Sequence, residues 1–118
     1  MRIEEVSFAS VLPVEGYGPG FFRVGGVVRE GALLLHGATC TPWGGADDIA
    51  PILALEDAID VLVLGMGKDI AHAPATLRAA LEEAGIGVEV MASPTACRTY
   101  NVLLSEGRRV ALAVLPVS

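Results

Sequence analysis

Cys97, Arg98, Thr99, Tyr100 and Asn101 set a thiol, a guanidinium, a hydroxyl, a phenol and an amide on consecutive positions. Nowhere else in this apolar chain do polar groups crowd so closely. A cysteine near a helix start can act as a thiolate nucleophile, because the helix dipole favours the charged form. That chemistry needs exposure and a partner base. The only histidines, His36 and His72, lie in other segments.

A second candidate is Gly65-Met66-Gly67-Lys68-Asp69, which follows an apolar run and precedes a helical pattern. Glycines let backbone amides approach an anion, and Lys68 supplies charge. At the carboxyl end of a parallel strand such a loop lies where crevices form. Neither dinucleotide nor P-loop spacing is met: the sixth position of the G-x-G-x-x-G reading is Ile70, and no G-x-x-x-x-G-K-[ST] occurs. The bland alternative is a structural turn. Ser93, at the end of a second strand, brings a further helix start toward the same crevice. The candidate ligand set is therefore Gly65, Gly67, Lys68, Ser93 and Cys97. His36, Cys40, His72 and Cys97 lack the paired spacing of metal ligands, so no metal or cofactor is expected.

The elements that position these residues follow from pattern. Ser93-Pro94 reads as a helix start, a hydroxyl cap followed by a residue with no amide hydrogen, and Gly107 marks its end. At 100° per residue, Ala96, Cys97, Tyr100, Leu103 and Leu104 share an arc of about 120°. Arg98, Asn101, Val102 and Ser105 fall on the other side. The polar cluster is thus divided: Cys97 and Tyr100 turn toward a sheet, and Arg98 and Asn101 turn away from it. Val102 between them is apolar on a face that ought to be wet, which makes Arg98, Asn101 and Val102 a candidate partner-binding set.

Upstream, Val61–Leu64 is a continuous apolar run, as for a strand buried on both faces. Pro74 opens a helix with an apolar stripe at Leu77, Ala80, Leu81 and Ala84. Gly85 stops that helix, and Ile86 folds back on Leu81. Val88–Met91 and Val110–Leu115 are further strands. Asp47 or Asp48 caps a short helix through about Glu56, with Pro51 in its first turn. The first third is strand and turn: Glu15–Gly20 is loop chemistry, Gly25-Gly26 a bulge or tight bend, and Ala32–His36 a strand. Trp43, the lone tryptophan, either plugs the core edge or anchors a partner. The order is β-β-β-α-β-α-β-α-β, an α/β fold with parallel crossovers in its second half.

At 118 residues this is a single domain, residues 1–118. Its 53% hydrophobic share exceeds what a small monomer needs, so a doubly covered sheet or an interface absorbs the surplus. A homo-oligomer is one such interface. The 14 acidic against 8 basic residues leave no basic footprint for nucleic acid or an anionic membrane surface. Two cysteines without framework spacing indicate a reducing compartment. No apolar run approaches a membrane span, and MRIEEVSF lacks the apolar segment of a signal peptide. A cytoplasmic protein is expected.

These stretches resemble the small domain shared by mitochondrial respiratory complex I assembly factor 3 and its uncharacterised bacterial and archaeal relatives. The resemblance runs through Gly16-Tyr17-Gly18, Phe22-Arg23-Val24, Leu33–Leu35, Trp43 and Leu62–Gly67. It is most specific from Val88–Met91 through Ala96–Asn101 into Glu106-Gly107-Arg108. It implies a three-layer α/β/α fold with a mixed central sheet, and protein partners rather than an established catalytic activity. Eukaryotic relatives are mitochondrial; this composition points to a bacterial member. The family usually has Gly-Thr-Gly where Gly65-Met66-Gly67 stands here, and a proline near His36-Gly37. Two functions follow: a non-catalytic interaction or assembly factor, possible for a respiratory-chain complex, or a small-anion binder or enzyme working in the Gly65–Asp69 and Ser93–Cys97 crevice.

Overall fold

The structure, a computed structural model, describes residues 11–69 and 72–118. The N-terminal residues read for a leader, and Ile70 of the glycine pattern, lie outside the described residues.

Among the described residues, five short strands precede the helix at Ala50–Leu53, where pattern resolved three. β1 (Val14–Gly18), β2 (Phe21–Val24) and β3 (Val27–Glu30) form an antiparallel meander. Its turns explain the glycines. Gly25 and Gly26 both take positive φ, 61° and 77°, as the two-residue hairpin connecting β2 to β3 requires. The doublet is therefore a turn between strands rather than a bulge within one. β4 (Leu33–His36) and β5 (Thr39–Pro42) make a second hairpin, which belongs to a different sheet.

The second half alternates as expected: α1 (Ala50–Leu53), β6 (Val61–Met66), α2 (Ala75–Glu83), β7 (Gly87–Met91), α3 (Ser93–Ser105) and β8 (Val110–Leu115). The central sheet runs β5-β4-β8-β6-β7. β8 pairs antiparallel with β4 and parallel with β6, and β6 pairs parallel with β7, so the sheet is mixed. The α/β class read from pattern and the mixed central sheet implied by the resemblance are both present.

Strand alternation divides the core into two faces. Leu33, Leu35, Val63, Leu112 and Val114 turn to one side, where they meet Phe22 and Val24 of the meander and Ala96, Cys97 and Tyr100 of α3. Leu34, Leu62, Leu64, Ala111 and Ala113 turn to the other, against Leu77 and Leu81 of α2 and Ile52 of α1. The fold is three layers: α3 with the small sheet, the central sheet, and α1 with α2. Fully burying a ring or a leucine contributes roughly 1.5–3 kcal/mol. Phe22 and Tyr100 are thus the main anchors of the α3 layer.

Helix ends follow sequence chemistry only in part. Gly85, at φ 80°, ends α2 with the Ile86 amide bonded to the Leu81 carbonyl at 2.9 Å, the expected fold-back. Gly107 ends α3 in the same way, through Arg108 to Leu103 at 3.0 Å. Asp48 does not cap α1, whose N-cap is Ile49. Its carboxylate instead accepts the Gly44 amide at 3.0 Å, and its carbonyl accepts Trp43 Nε1–H at 2.9 Å. Trp43 is buried and plugs the core edge.

Candidate functional site

The Gly65–Asp69 crevice is closed by its own hydrogen bonds. Ser93 is not a helix cap: α3 begins at Ser93 itself, Ala92 is the N-cap, and no side chain caps the helix. The fully buried Ser93 hydroxyl instead accepts the Gly67 amide at 2.8 Å and donates to the Leu115 carbonyl at 2.5 Å. The Ser93 amide donates back to the Gly67 carbonyl at 2.7 Å. The Ala96 amide is bonded to the Ala92 carbonyl at 2.9 Å, within the helix.

Gly65 is there for space rather than for a ligand. A Cβ at this position would lie 2.8 Å from Val114 Cγ2, 2.9 Å from Ser93 Oγ and 3.0 Å from Ala96 Cβ. The ends of β6 and β8 therefore pack directly on the first turn of α3. Gly67 needs its positive φ of 97° to leave the strand. Lys68 follows on the surface, exposed. Of the candidate ligand set, the fold joins Gly65, Gly67 and Ser93 as a structural latch. Lys68 stands outside that latch.

Cys97 faces the core, as its arc requires, and is 4% exposed. Burial pushes its thiol up to about 11, outweighing the opposite pull of Arg98. The dipole that could have made it a thiolate is overcome by desolvation, so at neutral pH it is a protonated core side chain. Tyr100 is fully buried, and its phenol is pushed up to about 12 by burial first and by Cys40 second. Among the described residues no group of three or more His, Cys, Asp or Glu side chains is placed to hold a metal ion.

The outward side of α3 is more informative. Arg98 and Val102 are both exposed and one helical turn apart, so they share a face. Arg98 makes one side-chain hydrogen bond among the described residues, to Thr95 Oγ1 at 3.3 Å. Asn101 departs from expectation. Its Oδ1 accepts the Val14 amide at 2.9 Å and its Nδ2 donates to the Val14 carbonyl at 2.8 Å. The amide that was expected to turn away from the sheet and toward a partner is a clamp on β1, because the small sheet covers that flank of α3.

Between β1 and α3 runs a shallow groove of about 240 Å³, with Tyr17 on one bank and Pro94, Arg98 and Asn101 on the other. It unites residues that the sequence had assigned to different sites: Cys97 lies at its base and Arg98 on its rim. Sequence reading missed Tyr17, which is 46% exposed. Pattern read Glu15–Gly20 as loop chemistry, so the strand Val14–Gly18 that carries Tyr17 was not anticipated. A separate pocket of about 250 Å³ opens on the other side of the sheet between the β4–β5 hairpin and Pro51, Ala54 and Leu55. None of the predicted site residues lines it.

Comparison with known proteins agrees with the resemblance read from the motifs. The profile of a family described as a protein of unknown function (DUF498/DUF598) matches residues 14–115. An uncharacterised protein of Rhodobacter capsulatus is 51% identical, over 99% of this chain and 94% of its own. A Danio rerio protein named NADH dehydrogenase (ubiquinone) 1 alpha subcomplex assembly factor 3 is 34% identical over 87% of this chain. The match covers 63% of that protein, so the chain spans less than two thirds of the assembly factor's length. The crystal structure of an outer membrane protein from Bartonella henselae superposes with a TM-score of 0.84 at 31% identity, covering 93% of this chain and 98% of that one. No helix among the described residues is long and apolar enough to cross a membrane.

Proposed function

The chain belongs to the DUF498/DUF598 family, and from that membership we propose that it is a non-catalytic interaction or assembly factor that docks a protein partner through its α3 layer. One observation carries this reading. Among the described residues, the large apolar side chains left exposed are Tyr17 at 46%, Val27 at 52%, Val28 at 51% and Val102 at 54%. All four lie on the layer built by α3 and the small sheet. The opposite layer presents exposed Glu56, Asp57, Glu82 and Glu83, a solvated acidic surface.

Exposed apolar side chains gathered on one layer favour a protein contact over a solvent face. Arg98 adds the kind of side chain that anchors interfaces. A respiratory-chain complex is the client class suggested by the relatives named as assembly factors. The two free cysteines support a cytoplasmic, reducing setting. No cofactor enters this function.

The test is affinity capture of the tagged protein from its own host, read by native mass spectrometry, beside the Arg98→Glu, Val102→Glu double variant. Respiratory subunits at defined stoichiometry with the wild type, lost in the variant, are the expected result. Capture that survives the double change removes this face as the docking surface. A homodimer with no other subunit would replace the assembly reading with self-association.

A further inference from the structure

Two side-chain polar atoms among the described residues are buried without a protein hydrogen-bond partner: the Tyr100 hydroxyl and Arg29 Nε. An orphaned buried donor forfeits its full hydration, and native folds rarely leave one so. These two belong to elements far apart in the chain, yet both are neighbours of Cys40.

Strand register sets the geometry. Arg29 stands opposite Phe22 in the β2–β3 pair, so it points inward with that ring. Its Nη1 donates to the Cys40 carbonyl at 3.3 Å. Cys40 stands opposite Leu35 in the β4–β5 pair and therefore faces the α3 side of the central sheet. Tyr100, from α3, belongs to the core cluster against which Cys40 packs, and a charge on that sulfur would raise the phenol's pKa.

We propose that Arg29 Nε–H, the Tyr100 hydroxyl and the Cys40 thiol form a small polar site that binds one compact hydrogen-bond acceptor, a water molecule or a halide-sized anion. The donor inventory fits this ligand class. A guanidinium N–H can only donate, while hydroxyl and thiol each carry a proton to offer. Burial raises the Cys40 pKa more than the Arg29 charge lowers it, and Tyr100 sits near 12, so both keep their protons at neutral pH. A bound acceptor at this point ties β3 of the small sheet to α3 and to the edge strand β5. It satisfies at once the two atoms that the protein itself leaves unpaired.

Crystals of the protein soaked in sodium bromide, with diffraction recorded at the bromine edge, test the site directly. An anomalous peak within hydrogen-bond distance of both Arg29 Nε and Tyr100 Oη identifies an anion. A light peak there with no anomalous signal identifies water, and either result upholds the site. The proposal is overturned if nothing bridges the two atoms, or if each bonds to protein instead. Tyr100→Phe and Arg29→Met provide a second readout. Each removes one arm of the bridge, so their losses in melting temperature overlap in the double variant. Losses that simply add refute the bridge.

Discussion

Ser93 and Gly67 are bonded to each other twice, amide to carbonyl at 2.7 Å and amide to hydroxyl at 2.8 Å. The same hydroxyl holds the Leu115 carbonyl. One side chain therefore fixes the ends of β6 and β8 to the start of α3, in the position where a ligand crevice was expected.

Ser93→Ala leaves the Gly67 amide and the Leu115 carbonyl without this partner. A buried polar group stranded in this way costs about 1–3 kcal/mol. Urea unfolding should show a midpoint lowered accordingly with the slope unchanged. A variant as stable as wild type would mean that the hydroxyl is not the latch.

Gly65→Ala tests the packing at the same point. The added methyl meets three side-chain atoms at 3.0 Å or less. Overpacking of this kind costs roughly 1–3 kcal/mol. Thermal melting should fall, and a second substitution that trims Val114 to Ala should recover part of the loss. No recovery would place the strain elsewhere.

Asn101→Ala removes both hydrogen bonds to Val14. We expect a loss of about 1–2 kcal/mol, in line with two part-buried bonds. The local reading is sharper: hydrogen exchange at the Val14 amide should accelerate more than global stability predicts. Uniform acceleration across β1 and β2 would instead mean that the whole meander has loosened.

Alkaline pH should destabilise the fold through two neutral groups. Cys97 ionises at about 11 in the fold against 9.0 for the ordinary thiol, and Tyr100 at about 12 against 10.0. Folded pKa values that lie above the unfolded ones favour the native state fully below the unfolded value. That advantage drains away as pH climbs, from 9 to 11 for Cys97 and from 10 to 12 for Tyr100. Each accounts for roughly 2–3 kcal/mol at the limit. Unfolding midpoints measured across pH 8–11 should decline, and less steeply in Cys97→Ala. In the native protein at neutral pH, Cys97 should label only as fast as the fold opens; rapid labelling would show an accessible thiol.

The division of the polar cluster was legible because helical periodicity depends on spacing alone. Cys97 and Tyr100 turned inward and Arg98 and Val102 outward as the 100° step requires. Asn101 was misplaced because periodicity says nothing about which other element covers a flank, and here β1 does. Ser93 and Asp48 share a different lesson. Each has the side chain of a cap at a cap-like position, yet Ser93 bonds to Gly67 and Leu115, which sequence distance hides, and Asp48 turns back to the nearby Gly44 amide. Gly25-Gly26 was recognised as a local break, but short strands on both sides made a turn and a bulge look alike. The two-sheet arrangement was hidden for the same reason.

The central position of β8 has a consequence for how the chain comes into being. Residues 110–115 sit between β4 and β6, so the β4–β5 hairpin and the β6–β7 pair have no direct partnership in the sheet without them. During synthesis the ribosome delivers these residues after the other strands of this sheet. Until they emerge from the exit tunnel, the nascent chain holds two unfinished half-sheets with open inner edges, the kind of edge that invites wrong pairing. This sheet closes like a zip whose slider arrives after both halves, and cellular chaperones have that interval in which to matter.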